Sequence, residues 1–104
     1  MARFDVYRNE SASVRRFPYL LAVQPDLFES LATNVVVPLG RSSVVGGRPA
    51  ETLTPTLDVD GASMVMYTPQ IAAVNKSLLK HRVCNLAAQR DTIVRALEFL
   101  FSGA

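Results

Sequence analysis

The first three-quarters of the chain falls into short stretches in which apolar residues alternate with polar ones or run together for a few positions, with glycine and proline between the stretches. That punctuation predicts antiparallel β structure. Phe4-Asp5-Val6-Tyr7 alternates as a first strand. Phe17 to Gln24 reads as a second, with Pro18 near its start, where a missing N–H does least harm. Between them, Arg8 to Arg16 is a polar and basic loop. Asn34-Val35-Val36-Val37-Pro38-Leu39 is a β-branched run too short for an independent helix and suited to a central strand buried on both faces. Gly40 to Pro49, rich in Ser, Gly and Arg, reads as an exposed loop. Leu53 to Val59 and Ala62 to Tyr67 flank Asp60-Gly61, the signature of a tight hairpin with both turn residues at positive φ.

Beyond Thr68-Pro69 the signal thins. Gln70 to Val74 reads as a turn or a short helical piece, and Ser77-Leu78-Leu79 as a last strand. From Leu86 onward the period becomes helical, with Ile93, Leu97, Leu100 and Phe101 on one stripe, Asn85 as the candidate N-cap and Gly103 as the stop. Phe99 falls beside that stripe, so at least one of Phe99 and Phe101 is expected to face solvent or a partner subunit, and an exposed aromatic at a chain end suits an interface better than a core.

At 104 residues, the chain is read as one domain spanning 1–104. With 49% hydrophobic and 19% charged residues it is committed to packing or to an interface, which makes a homodimer plausible and excludes a disordered tail. Eleven basic against nine acidic residues give a net charge of +2, an excess too small for a nucleic-acid stripe, and no direct nucleic-acid contact is expected. The chain shows no apolar run of spanning length and no signal-like start, so a cytoplasmic protein without membrane contact is expected.

The candidate chemistry is sparse. The lone cysteine, Cys84, has no evident base partner and reads as a small buried filler. His81 and Cys84, three apart and without further ligands, make no metal site, and Val45-Gly46-Gly47-Arg48 lacks the spacing that cradles a nucleotide phosphate; no cofactor is expected. Asp58 and Asp60 read as solvated turn carboxylates. RNA cleavage would need a base, an acid and a cation, which His81 with Arg8, Arg15 or Arg16 could supply, although nothing in their spacing brings them together.

Four segments, in order and in register, resemble the CcdB family of toxins: Phe4 to Tyr7; Ala22-Val23-Gln24-Pro25-Asp26-Leu27-Phe28, similar to the family's DVQ-x-D-I-I; Val35 to Leu39, similar to its MVIPL; and Ile93 to Ala104. The resemblance implies a mainly β (α+β) fold: an SH3-like small barrel with a main antiparallel sheet, a minor sheet and one C-terminal helix, paired as a two-fold dimer. It implies a non-catalytic toxin that inserts its paired C-termini between the A subunits of DNA gyrase and traps the cleaved DNA complex. A CcdA-like antitoxin neutralises such a toxin with a disordered segment.

Carried over by position, the family's gyrase contacts fall on Leu27 and Phe28 and on Glu98, Phe101, Ser102, Gly103 and Ala104, where the family pattern is Asn, Phe, Trp, Gly, Ile. Ser102 is the main departure, because it removes the flat apolar face that an interface hot spot uses. An acidic antitoxin segment is expected on Arg15, Arg16, Arg41 and Arg48. Two other readings stand beside this one: the same fold with gyrase poisoning weakened or lost, and an endoribonuclease of the MazF type, which shares the barrel.

Overall fold

The computed structural model describes residues 2–41 and 51–103. Among these residues seven strands, β1 (Asp5–Arg8), β2 (Tyr19–Ala22), β3 (Thr33–Gly40), β4 (Thr56–Val59), β5 (Ala62–Met66), β6 (Ala72–Asn75) and β7 (Arg82–Asn85), precede one α-helix, α1 (Arg90–Ser102). The strands form a curled antiparallel sheet in the order β4-β5-β3-β2-β1-β7, with β6 also on β3, so the molecule is a small α+β half-barrel.

β3 organises the sheet. One of its edges pairs with β2, and its other edge is shared by β6, opposite Thr33 to Val36, and β5, opposite Leu39 and Gly40. Pro38 lies at the changeover between those two partners. Its carbonyl accepts from the Tyr67 N–H at 3.0 Å on the β5 side, so its ring nitrogen points to that same side, where the ladder is already interrupted. Gly40, read from sequence as the start of a loop, instead ends β3: a Cβ there would lie 2.7 Å from the Arg16 carbonyl oxygen. Positions 42–49 of that expected loop lie outside the described residues.

Alternation assigns the core. Val6, Leu21 and Val37 lie in register across β1, β2 and β3 and point into the barrel with Phe4, Val23, Leu39, Leu57, Val59, Met64 and Met66. Tyr7, Leu20, Ala22 and Val36 point the other way, onto Leu79 and Val74. The uninterrupted valine run is thus buried on both faces, as its pattern predicts. Ile93 and Ala96, both wholly buried, seat α1 on the barrel interior, with Val94 and Leu97 partly buried beside them. Among the described residues no helix is long and apolar enough to cross a membrane.

The hairpin turn has the expected geometry, with Asp60 at φ 51° and Gly61 at φ 89° and the Asp58 side chain accepting the Gly61 N–H at 2.8 Å. The Gln89 side-chain amide clamps the β4 edge to the entry of α1, accepting from the Asp58 N–H at 2.9 Å and donating to its carbonyl at 2.8 Å.

Three local expectations are corrected. Lys76–Leu78 is a 3-10 turn, and the last strand is Arg82–Asn85. Gln70–Val74 contributes most of strand β6. Asn85 accepts from the Ala87 N–H at 2.8 Å, capping a short turn at Ala87–Gln89 instead of the helix itself, which begins at Arg90.

Candidate partner-binding site

The segment after β2 folds into a tight turn at Asp26–Phe28, and three side chains fix it from outside. Gln24 spans the loop, its amide nitrogen donating to the carbonyls of Phe28 (3.3 Å) and Thr33 (3.4 Å) and its oxygen accepting from Val35 N–H (3.3 Å). Asp26 accepts the Arg3 N–H at 2.7 Å, and the Arg3 Nε donates to the Val23 carbonyl at 2.9 Å. The Lys76 ammonium reaches the Glu29 carbonyl from the turn that follows β6. Held in this way, the loop presents Leu27 (84% exposed), Phe28 (46%) and Leu31 (49%) to solvent. An exposed leucine on a tethered loop is not covering a core, so the apolar character of the turn has to be explained by something outside the barrel.

The helix end has the same character. Phe101 is 74% exposed and Phe99 36%, so both phenylalanines face outward. At least one of the two was expected to face solvent or a partner; the buried positions of the helix are Ile93 and Ala96, and Leu100 is half-buried. The reason is geometric, since the helix leaves the sheet over its last turn and only Ile93 and Ala96 reach the interior. Gly103 adopts φ 73° and donates its N–H to the Phe99 carbonyl at 2.9 Å, a left-handed cap that fixes where the helix stops. Ser102 is exposed, and its hydroxyl donates back to the Glu98 carbonyl at 2.6 Å.

These two elements meet. Phe28 and Phe101 line one apolar groove of about 340 Å³ with Val23, Pro25, Ile71 and Leu97. On its far side Phe101 also borders a second concavity of about 390 Å³ with Arg3, Glu98 and Ser102. The fold thus gathers Phe28, Glu98, Phe101 and Ser102, with Leu27 on the same tethered turn and Gly103 as the cap. Ala104 lies outside the described residues. Gln24, Arg3 and Asp26, which hold the turn, carry no signal in hydrophobic periodicity; the Gln-x-Asp spacing was the available hint.

The predicted basic residues divide. Arg15, Arg16 and Arg41 surround one concavity of about 220 Å³ with Pro18, although they come from the turn before β2 and the end of β3. Arg48 lies outside the described residues. His81 is not near Arg15 and Arg16 in that concavity; it shares another one with Arg8, Glu10, Arg82 and Val83. Among the described residues no group of three or more His, Cys, Asp or Glu side chains gathers as a metal site. Cys84 is half-buried, and burial pushes its thiol up, away from the reactive thiolate.

The fold is shared with a solved structure described as an endoribonuclease from a mycobacterial species, at a TM-score of 0.71 over 94% of this chain and 88% of the other, with 20% identity. At that identity the likeness concerns architecture alone. The family profile described as CcdB protein matches residues 3–103 and so takes in both the tethered turn and the helix end. This chain therefore belongs to the CcdB family, the toxins of toxin–antitoxin systems.

Proposed function

We propose that this protein is a gyrase-directed toxin that works by docking and not by catalysis. The observation that carries the reading is the convergence of Phe28 and Phe101 on one apolar groove, with Leu27 exposed beside it, from segments some seventy residues apart in sequence. Burying one such side chain contributes about 1.5–3 kcal/mol, and a two-fold dimer presents each twice. The paired tips then insert between the A subunits of DNA gyrase and hold the enzyme on cleaved DNA. Ser102 contributes almost none of the apolar area that the family's Trp supplies, so Phe101 is the principal anchor and this toxin's grip differs from that of its relatives.

The antitoxin is read as an acidic, disordered segment that takes the concavity lined by Arg15, Arg16, Pro18 and Arg41, where among the described residues no carboxylate lines the wall. Arg48 is assigned to antitoxin binding from sequence alone. The cytoplasm, where gyrase works, is the compartment this reading requires.

Expression in ordinary bacterial cells and in cells carrying a toxin-resistant gyrase tests the target. The reading expects growth arrest in the first and growth in the second. Equal arrest in both would move the target away from gyrase.

A further inference from the structure

Among the described residues that line the two grooves beside Phe101, Arg3 is the one cation. It is half-buried and borders the concavity of about 390 Å³ on the far side of Phe101, together with Val94, Leu97, Glu98 and Ser102. We propose that Arg3 is a specificity contact of the apolar tip, and that its guanidinium takes a carboxylate of the gyrase A subunit inside that concavity. The assignment rests on the gyrase reading and gives its apolar grip a polar lock.

The backbone sets this residue apart from the strand it precedes. β1 begins at Asp5, and Phe4 before it lies at φ 72°, a left-handed conformation that a bulky side chain seldom adopts. Three contacts hold Phe4 there. Its N–H donates to the Ala22 carbonyl at 2.7 Å, its carbonyl accepts the Leu86 N–H at 2.9 Å, and its side chain is buried in the barrel core. Strain that the surroundings over-determine in this way is a pointer to function in the residues it positions. The residue positioned here is Arg3, whose N–H donates to Asp26 at 2.7 Å and whose carbonyl accepts the Asn85 amide at 3.0 Å.

The side chain is fixed as firmly as the backbone. Its Nε donates to the Val23 carbonyl at 2.9 Å, and the guanidinium carbon lies 4.8 Å from the centre of the Phe4 ring, a cation–π contact. Among the described residues its two Nη groups meet no acceptor, and no carboxylate, that of Glu98 included, forms an ion pair with them. A guanidinium already held in place loses little freedom on binding, and its open Nη edge matches the two oxygens of a carboxylate. Val94, Leu97 and Phe101 supply apolar walls, so a partner that fills the space expels water and strengthens the pair beyond its value on an open surface. A DNA phosphate fits this place less well. Backbone contacts to DNA are made by clusters of cations, and here a single one stands beside the exposed carboxylate of Glu98.

Binding to the gyrase A subunit without DNA, followed in real time at several salt concentrations, tests the assignment on wild type, Arg3→Gln and Arg3→Lys, with thermal melts alongside. Arg3→Gln should weaken binding by about 30-fold or more, mostly through faster dissociation, as loss of one partner of a desolvated charge pair does. Arg3→Lys should fall between the two, because an ammonium keeps the charge and loses the two-pronged geometry; it decides the matter if the Gln variant melts early. Wild-type affinity should also fall more steeply with salt than that of Arg3→Gln, a difference that a merely structural role for Arg3 does not produce. If the wild type itself fails to bind the A subunit, the gyrase reading fails and this assignment falls with it. If the wild type binds, any of three results overturns the assignment alone: dissociation as slow in the folded variants as in wild type, equal salt dependence of wild type and Arg3→Gln, or a penalty that appears only when DNA is added.

Discussion

Asp5 shows how much one side chain can hold in this small barrel. Burial raises its carboxyl, but hydrogen bonds from the Asn85 amide and the Ala2 N–H, together with the Arg82 guanidinium, outweigh burial and hold the group below the ordinary aspartate value of 3.8. A carboxyl depressed in the folded state stabilises the fold fully above its unfolded value, and that stability is lost as pH falls through the lower, folded value. Asp5→Asn should therefore cost about 2 kcal/mol at neutral pH, since it removes a buried acceptor from under several donors. The cost should begin to shrink below about pH 4, where the carboxyl of the unfolded chain takes up its proton, and should continue to shrink as pH falls through the lower, folded value. Urea unfolding of both proteins at pH 7 and pH 3 measures this, and a difference that does not change with pH contradicts the account. The alternation Phe4-Asp5-Val6-Tyr7 gave away the strand but not this role, because the partners Asn85 and Arg82 are about eighty positions distant. Ser102 is similar: the sequence marks it as a departure from the family, and only the structure shows its hydroxyl turned back onto Glu98.

Elements were legible in proportion to how strongly one local force dictated them. The Asp60-Gly61 hairpin was readable because its positive φ angles admit few residue types, and the β3 core because three valines in a row have nowhere to go but two buried faces. β7 was not readable. Its residues are only half-buried, it lies at the sheet's edge, and the Val83 bulge breaks the alternation that would have announced it. β6 is similarly exposed along most of its length and so carries no apolar period. The helix was recognised, and Phe101, which fits the apolar period yet was expected as a contact residue, is exposed at its end. The Phe28–Phe101 groove was legible only through the family resemblance, since no local pattern joins a turn after β2 to the last turn of α1.

At the scale of the whole molecule, chemistry is divided among separate surfaces. The apolar tip, the arginine concavity and the His81 edge share no lining residue, so each can be altered alone. For the arginine surface, Arg16→Glu combined with Arg41→Glu should weaken binding of a cognate antitoxin by at least tenfold and leave gyrase poisoning intact. Calorimetric titration with the antitoxin segment measures it, and unchanged affinity would rule out that surface.

The central claim, that the exposed tip at Phe101 grips gyrase, meets its most direct test in a gyrase cleavage-complex assay on wild type, Phe101→Ala and Ser102→Trp, with thermal melts alongside. If each of two tips loses or gains about 1–2 kcal/mol, Phe101→Ala should weaken trapping by about one to three orders of magnitude and Ser102→Trp should strengthen it by a similar factor, with melting temperatures unchanged. Full trapping by a folded Phe101→Ala protein would contradict the claim and place the active surface elsewhere.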